Sequence, residues 1–224
     1  LDYVTIVTPN FAHYEPAKAF LQAGIPVLCE KPITLTVAEA QDLARIVKRK
    51  KVPFVLAHTY TGHPMMMLAK EMIAGGEIGE VRKVDSWYNQ GWLATALEKS
   101  GQQQASWRTD PKRTGISNCG GDIGTHAFVA ATWVTGLAVK KVSARLNTFV
   151  KGRVLDDDFA FRRKEFAIPR ISRGHDAVEH VHTRSYRMDQ VFGRSHTHQV
   201  AWFVLGKKRG SERGHFVQLF CAFP

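Results

Sequence analysis

The first 57 residues alternate short apolar runs with stretches of helical periodicity. Residues 3–8, 25–29 and 52–57 have the length of buried strands, and residues 13–23 and 37–51 carry apolar side chains at helical spacing. Strands that alternate with helices across short loops form a parallel sheet with right-handed crossovers. The pattern predicts the second half of a doubly wound parallel sheet, whose ligands bind at the carboxyl ends of the strands.

Residues with polar or turn-forming character follow each predicted strand. A capping box of Thr36 and Glu39 is expected to start the second helix, and Gly24 to end the first. The residues at the carboxyl ends of the predicted strands are Thr8, Pro9, Asn10, Glu30, Lys31, Pro32 and Tyr60. These residues define the edge at which a ligand is expected.

The pattern changes after residue 63. Residues 64–75 are predicted to form a helix, and residues 79–88 alternate as a strand with one covered face does. The segment 89–119 is long, polar and turn-rich, which indicates a functional or disordered loop. A helix is expected over 122–135, ended by Gly136, and a strand over 139–150. This part predicts an α/β domain with an open, mostly antiparallel sheet.

The pentapeptide Asp122-Ile123-Gly124-Thr125-His126 places a carboxylate and an imidazole four residues apart. Side chains at this spacing lie on one face of a helix and can reach the same small molecule. With the distant Lys31, they supply an acid, a base and a cation, which suits proton transfer coupled to hydride transfer. The spacing alone also allows Asp122 to cap the helix and His126 to be merely packed.

Composition indicates a globular protein, because 44% of the 224 residues are hydrophobic. The three scattered cysteines, Cys29, Cys119 and Cys221, match neither a disulfide framework nor a zinc site, so a reducing, cytoplasmic location is expected. No apolar run approaches the ~20 residues of a membrane-spanning helix, so no membrane association is expected. The chain opens on Leu1 inside a strand-like run, so its start is expected to be missing.

The net charge of +11 raises the possibility of nucleic-acid binding. However, residues 161–224 hold 12 Lys and Arg against 5 Asp and Glu, so most of the surplus lies in the last third. No recognisable nucleic-acid-binding module accompanies this charge, and we predict no nucleic-acid partner. A binder that rests on charge alone would lose affinity steeply as salt is added.

The segment after residue 159 has no apolar period over windows of about 11 residues. We therefore predict that residues 160–224 do not complete the sheet of the second domain. Its histidines include two His-x-His pairs, but without a carboxylate or cysteine framework we predict no metal site. These histidines are His175, His180, His182, His196, His198 and His215.

Three motifs in order resemble the Gfo/Idh/MocA family of NAD(P)-dependent oxidoreductases: Ile6-Val7-Thr8-Pro9-Asn10 with His13, Val27-Leu28-Cys29-Glu30-Lys31-Pro32, and Gly121-Asp122-Ile123-Gly124-Thr125-His126. The resemblance covers about residues 1–159, including an acidic turn at Asp156-Asp157-Asp158-Phe159. It implies a Rossmann domain joined to an α/β domain whose open sheet serves as an oligomer interface. It also implies NAD or NADP as cofactor and sugars, inositols or related polyols as substrates.

The resemblance implies that the glycine-rich phosphate loop would precede residue 3. The 224 residues are therefore expected to be incomplete and to bind NAD or NADP weakly by themselves. The expected division is residues 1–62 for the Rossmann half, 63–159 for part of the substrate and oligomerisation domain, and 160–224 for a basic segment without an assigned fold. A reading-frame shift or wrongly joined gene end would explain that segment, and a lineage-specific extension is the alternative.

The resemblance assigns catalytic roles to Lys31, Asp122 and His126. An imidazole, with an ordinary pKa of about 6.5, suits His126 as general base. The ammonium of Lys31 could stabilise a developing alkoxide, hold the cofactor ribose, or be an ordinary surface charge. Asp122 would bind a substrate hydroxyl or orient His126, and its place near a helix N-terminus favours the ionised form.

Two further sets of residues complete the predicted site. Aromatic faces pack against sugar rings while polar groups bind hydroxyls, although tryptophans also serve as ordinary packing and a lone His13 is often structural. The predicted cofactor residues are Thr8, Pro9, Asn10, His13, Glu30, Lys31, Pro32, Trp107 and Arg108. The predicted substrate residues are Tyr60, His63, Trp92, Lys112, Asp122 and His126, with Arg108 as a further candidate.

The leading hypothesis is thus an oxidoreductase that transfers a hydride between a nicotinamide cofactor and a secondary hydroxyl of a sugar or polyol. The alternative is a non-catalytic ligand-binding or scaffolding protein on the same fold, because a fold does not fix a function. A binder would not need Lys31, Asp122 and His126 together, which favours the enzyme.

Overall fold

The computed structural model of the chain describes residues 1–163, 166–167, 179–184, 202–207 and 215–222. The helices are α1 (Tyr14–Gln22), α2 (Val37–Lys50), α3 (Pro64–Ala74), α4 (Gln103–Arg108), α5 (Pro111–Thr114) and α6 (Thr125–Thr135). The strands are β1 (Val4–Ile6), β2 (Val27–Glu30), β3 (Phe54–Ala57), β4 (Val81–Asn89), β5 (Ala138–Val139), β6 (Val142–Asn147), β7 (Asp158–Arg163), β8 (Phe166–Ala167), β9 (Glu179–Arg184), β10 (Trp202–Lys207) and β11 (His215–Ala222).

The first unit is a parallel sheet in the order β1-β2-β3, with α1 and α2 as its crossovers. Its core joins strand and helix residues such as Leu21, Val27 and Leu43, which are at most 2% exposed. The predicted parallel half-sheet is therefore confirmed. The capping box of α2 is also confirmed, since Glu39 N donates to Thr36 Oγ1 at 3.2 Å and Thr36 N donates to Glu39 Oε2 at 3.0 Å.

The second unit is built on a sheet in the order β10-β11-β4-β9-β7-β6. The strand β4 pairs in parallel with both of its neighbours, and the other three pairings are antiparallel. The helix α6 packs against β4, and the core between them includes Val84, Tyr88, Ile123 and Ala127. This arrangement confirms the predicted α/β unit with a mostly antiparallel sheet.

The prediction that the tail does not complete this sheet is wrong for its described residues, because β9, β10 and β11 all pair within it. β10 and β11 are six and eight residues long, shorter than the window over which a period was sought. They contain the apolar runs Trp202-Phe203-Val204-Leu205 and Phe216-Val217. The reading-frame hypothesis stays a prediction, and His175, His196 and His198 lie outside the described residues.

The segment 89–119 is more ordered than a single loop. It contains a 3-10 turn at Leu97–Ser100 and the short helices α4 and α5. Local caps explain both helices: Ala105 N donates to Gln102 Oε1 at 2.6 Å, and Lys112 N donates to Asp110 Oδ1 at 2.9 Å. These helices deliver Trp107 and Arg108 to fixed positions.

The acidic turn before β7 anchors the residues that lead into α6. The carboxylate of Asp156 accepts hydrogen bonds from Asn118 N at 2.7 Å, Gly120 N at 2.8 Å and Ser117 Oγ at 2.9 Å. Asp156 is 4% exposed, so these three donors satisfy a buried charge. The turn thereby fixes the backbone immediately before Asp122.

We expect Gly120→Ala to destabilise the protein by about 1–3 kcal/mol relative to Gly121→Ala, the usual cost of overpacking. A Cβ at Gly120 would lie 2.5 Å from Ser117 Oγ and 2.9 Å from a ring carbon of Phe159, whereas a Cβ at Gly121 meets nothing within 4 Å. Both variants gain the same helix propensity, so their difference isolates the steric clash. Urea unfolding of both variants measures it, and equal stabilities would contradict this close packing.

Candidate active site

A buried ion cluster joins the two units. Lys31, directly after β2, places its Nζ 2.7 Å from Asp122 Oδ1 and 2.8 Å from the Asp122 carbonyl oxygen. Arg108, at the end of α4, places Nη1 2.6 Å from the same Oδ1. The side chains of all three residues are less than 20% exposed. Residues that are 91 and 14 positions away from Asp122 in the sequence thus meet on one carboxylate oxygen.

Asp122 lies in a π-helical turn, Gly120–Gly124, and not in the first turn of an α-helix as the spacing predicted. The α-helix α6 begins at Thr125, so His126 follows the turn that holds Asp122. Glycine explains the close packing of this turn, since the Cβ that Gly124 lacks would lie 3.2 Å from the Phe159 ring. Single π-helical turns occur frequently at functional sites.

A polar cavity of about 290 Å³ surrounds the cluster. Its wall includes Lys31, Asp122 and His126, which are the three predicted catalytic residues. The full lining is Glu30, Lys31, Ala57, Thr59, Tyr60, Tyr88, Gln90, Trp92, Gln104, Arg108, Asp122, Ile123 and His126.

The carboxylate of Asp122 stays ionised because of its two cations. Burial by itself raises the pKa of this carboxyl, but the charges of Lys31 and Arg108 and the hydrogen bond from Lys31 hold it below its ordinary value. The predicted ionised form therefore has a stronger cause than the helix terminus. Removing one partner of a buried charge is costly, because the remaining charge is left uncompensated. The three residues therefore act as a unit.

The imidazole of His126 is held neutral. Burial is the main cause that lowers its pKa to about 3, and the charge of Lys31 lowers it further, against the opposing charge of Asp122. His58 is affected in the same direction, because burial and Lys31 lower its pKa as well. A neutral imidazole can accept a proton, which is the state that a general base needs.

We expect the free energy of unfolding to fall as pH drops below 6.5. The unfolded imidazole of His126 takes up a proton near its ordinary pKa of 6.5, whereas the folded one does so only near 3, so the unfolded state binds more protons in between. This group contributes a slope of at most about 1.4 kcal/mol per pH unit. Urea unfolding at several pH values should show a shallower slope for His126→Gln. An unchanged slope would contradict a buried neutral His126.

In the part of the chain that the structure describes, Lys31, Arg108 and Asp122 each retain an unused hydrogen-bonding group. An ammonium has three N–H donors, and two from Lys31 reach Asp122, so within the described residues one is unused. The Nε of Arg108 is buried with no hydrogen-bond partner among those same residues. Within the described residues, the hydrogen bonds of Asp122 use Oδ1 and the backbone carbonyl, which leaves Oδ2 for a further donor. These unused groups define where a ligand would be bound.

Two aromatic rings lie close to the Arg108 guanidinium. Its central carbon lies 4.5 Å from the Trp107 ring centroid and 5.9 Å from that of Trp92, within the range of cation–π attraction. Trp92 lines the cavity, and the Trp107 ring supports the guanidinium. The two tryptophans are therefore packed around a functional group as well as in the second unit.

The predicted cofactor residues at the end of β1 take different positions. Thr8 is exposed and donates its hydroxyl to the Ala12 carbonyl at 3.0 Å. Asn10 is 4% exposed and donates to the Thr114 carbonyl and hydroxyl, both at 3.3 Å. His13 has no exposed surface, and its ring nitrogens lie 2.8 Å from the Pro32 oxygen and 2.7 Å from the Thr8 oxygen. His13 thus links the ends of β1 and β2 and does not reach a ligand directly.

Two predicted substrate residues lie outside the cavity. His63 is exposed at the start of α3, where its ring lies 5.9 Å from that of Tyr60. Lys112 is exposed in α5. By contrast, Tyr60 lines the cavity, with its ring centroid 4.4 Å from that of His126.

Sequence reasoning missed several residues of the lining. Tyr88 and Gln90 lie at the carboxyl end of β4, two positions apart, so strand periodicity places them on one face. The sequence analysis expected ligand-binding residues at the carboxyl ends of β1, β2 and β3. The same expectation applied to β4 would have identified Tyr88 and Gln90. No comparable signal marked Gln104.

The described residues form a parallel half-sheet joined to an α/β unit, and the two units meet at the cluster of Lys31, Arg108 and Asp122. Residues 1–58 match a family model described as the oxidoreductase family with an NAD-binding Rossmann fold. Residues 66–165 match the GFO/IDH/MocA C-terminal domain. The chain belongs to the GFO/IDH/MocA oxidoreductase family.

Two curated relatives are named as an oxidoreductase and a dehydrogenase. The chain is 33% identical over 161 residues to the uncharacterized oxidoreductase YfiI of Bacillus subtilis, covering 71% of this chain and 41% of that one. It is 34% identical over 155 residues to levoglucosan dehydrogenase of Pseudarthrobacter phenanthrenivorans, covering 69% and 38%. The chain thus spans about two fifths of the length of these relatives.

Solved structures share the fold. An inositol dehydrogenase homologue from Azotobacter vinelandii, complexed with NAD+, has a TM-score of 0.74 and 30% identity over 82% of this chain and 46% of that one. Levoglucosan dehydrogenase in complex with NADH and levoglucosan has a TM-score of 0.70 and 31% identity, covering 82% and 48%. In the described part of this chain, every helix is too short or too polar to cross a membrane.

Proposed function

We propose that the protein is an NAD- or NADP-dependent dehydrogenase that oxidises a secondary hydroxyl of a sugar, inositol or related polyol. The observation that carries this proposal is the meeting of Lys31, Asp122 and His126 at one polar cavity. Relatives named for levoglucosan and inositol oxidation support the substrate class. A cavity of about 290 Å³ is of the size that suits one small ring.

Proton removal is assigned to His126 and Lys31 together. Neutral His126 accepts the hydroxyl proton, although its low pKa makes the imidazolium costly. The remaining N–H of Lys31 donates to the same alcohol oxygen and stabilises the negative charge that develops as the proton leaves. The charge of Asp122 offsets the imidazolium that forms. The base is thus effective because the alcohol is made more acidic.

Asp122 is assigned to orientation. Its Oδ1 is fixed by two cations, so the carboxylate cannot rotate freely. Its Oδ2 then accepts a hydrogen bond from a second substrate hydroxyl or from the His126 ring. In either role Asp122 sets the angle at which the substrate meets His126.

The residues present fit a nicotinamide nucleotide. The Nε of Arg108, which is buried and has no hydrogen-bond partner among the described residues, suits a group that is anionic and rich in hydroxyls. Trp107 would support Arg108, and Thr8 and Pro9 would border the cofactor beside the start of α1. A bound nicotinamide would supply the hydride acceptor.

An oligomer is the second part of the proposal. On the edge strand β6, Val142 is 56% exposed and Leu146 is 49% exposed, and their spacing places them on one face. An exposed apolar pair on an edge strand offers a surface that a second copy of the chain could cover. We expect analytical ultracentrifugation of the full gene product to show a dimer or larger assembly, and a monomer at all concentrations would contradict this.

The proposed activity is tested with the full gene product, either cofactor, and myo-inositol, levoglucosan, D-xylose and glucose 6-phosphate as substrates. We expect reduced nicotinamide to appear with at least one of them. Binding of a polyol by calorimetry without any turnover would instead support the non-catalytic binder and overturn the proposal.

A further inference from the structure

Three consecutive glutamines at the start of α4 have different surroundings. Gln102 caps the helix, because its Oε1 accepts a hydrogen bond from Ala105 N at 2.6 Å. Gln103 is exposed and lies outside the cavity lining, whereas Gln104 belongs to that lining. Gln104 is also exposed, so it lies at the open side of the cavity. Its side chain forms no hydrogen bond with the other described residues.

Gln104 shares a helix face with Arg108. The two residues are four positions apart in α4, so their side chains lie on the same side of the helix. Arg108 Nη1 lies 2.6 Å from Asp122 Oδ1, which fixes this face of α4 beside the proposed reacting centre. Four residues of helix rise about 6 Å, which is close to the width of one sugar ring with its hydroxyls. Gln104 is therefore placed to meet the far side of a ring that is held at Asp122.

The charges in the cavity wall are already engaged. Lys31 and Arg108 are the lysine and arginine residues of the lining that the structure describes, and both bond Asp122 Oδ1. The carboxylates of Asp122 and Glu30 balance these two cations. The carboxamide of Gln104 is uncharged, and it both donates and accepts hydrogen bonds, as a sugar hydroxyl does. A phosphate with about two negative charges would meet no further cation among these residues.

We propose that Gln104 binds an uncharged hydroxyl on the side of the substrate ring away from the carbon that is oxidised. Gln104 is then a specificity residue that favours uncharged sugars and polyols over phosphorylated sugars. This inference rests on the proposed function and narrows its substrate class.

The first test compares two alanine variants of the full gene product by steady-state kinetics with the best substrate of the four. We expect Gln104→Ala to raise KM about 3- to 10-fold, the usual size for one hydrogen bond between neutral groups. It should change kcat by less than about twofold, because the lost contact is remote from the reacting carbon. Gln103→Ala is the matched control, since it makes the same change one residue away, outside the cavity lining, and should leave both constants unchanged.

The second test introduces a positive charge at the same two positions. For the unmodified protein we expect kcat/KM for glucose 6-phosphate to be at least about tenfold below that for the best uncharged substrate. Gln104→Lys should raise the ratio of these two values at least about tenfold in favour of glucose 6-phosphate, because the ammonium pairs with the phosphate. Gln103→Lys adds the same charge outside the lining and should change the ratio by less than about twofold, which controls for general attraction of anions.

Three results would overturn the inference while leaving the dehydrogenase intact. These are an unchanged KM in Gln104→Ala, equal effects of the paired substitutions at Gln103 and Gln104, and glucose 6-phosphate as the best substrate of the unmodified protein. If the unmodified protein turns over none of the four substrates, the proposed function fails and the inference fails with it.

Discussion

Lys31→Ala and His126→Ala are each expected to reduce turnover by the full gene product at least about a hundredfold, the low end for the loss of a general acid or base. Lys31→Ala removes the donor to the alcohol oxygen, and His126→Ala removes the proton acceptor. Arg108 still faces Asp122 at 2.6 Å after the first change, so the buried carboxylate keeps a cation and the fold should persist. Steady-state rates with the best substrate measure both effects.

Lys18→Ala is the control for these variants. Lys18 lies 3.2 Å from Asp42 on the surface of the first unit, and its loss should leave the rates unchanged. Thermal unfolding of all three variants separates loss of activity from loss of fold. Near-normal rates in both Lys31→Ala and His126→Ala would show that the assigned mechanism is wrong.

Arg153→Met is expected to destabilise the protein by about 3–5 kcal/mol, the usual effect of removing one partner of a buried ion pair. The Arg153 side chain is 1% exposed and bonds Asp157, which is 0% exposed, and Glu98 at 2.8 Å. It also donates to the carbonyls of Leu93 at 2.9 Å and Thr95 at 3.1 Å. Methionine fills the space but leaves two carboxylates without their cation.

Urea unfolding near neutral pH measures this loss, with Arg145→Met as control. Arg145 is on the exposed strand β6, and its replacement should change stability by no more than about 0.5 kcal/mol. The Arg153→Met deficit should shrink at acidic pH. Burial raises the pKa of Glu98 and the Arg153 bond lowers it, so without Arg153 this carboxyl protonates more readily. A deficit no larger than that of the control would contradict the ion cluster.

The elements of the first unit were predictable because their signals are local. Strand-length apolar runs, the Thr36–Glu39 capping box and helical spacing all lie within windows of about 15 residues. The turn at Gly120–Gly124 was not predictable as a π-helix, because its shape depends on contacts with the distant Asp156 and Phe159. The strands of the tail were missed because short apolar strands have no period over a long window.

The residues of the site were predicted better than the contacts between them. Motif order identified Lys31, Asp122 and His126, and the structure brings all three to one cavity. That Arg108 and Lys31 meet the same Asp122 oxygen follows from the packing of the two units, which no sequence spacing encodes. His13 has the opposite outcome, because a motif residue that suggested a ligand contact is buried between two backbone carbonyls.

Deuterium transfer tests the central claim most directly. The full gene product is incubated with oxidised cofactor and a polyol that carries deuterium on the carbon to be oxidised, and the nicotinamide is then examined by proton NMR. The account predicts deuterium at C4 of the nicotinamide, on one face only, and transfer at least about a hundredfold slower in Lys31→Ala. Reduced cofactor without deuterium, or equal transfer in Lys31→Ala, would contradict it.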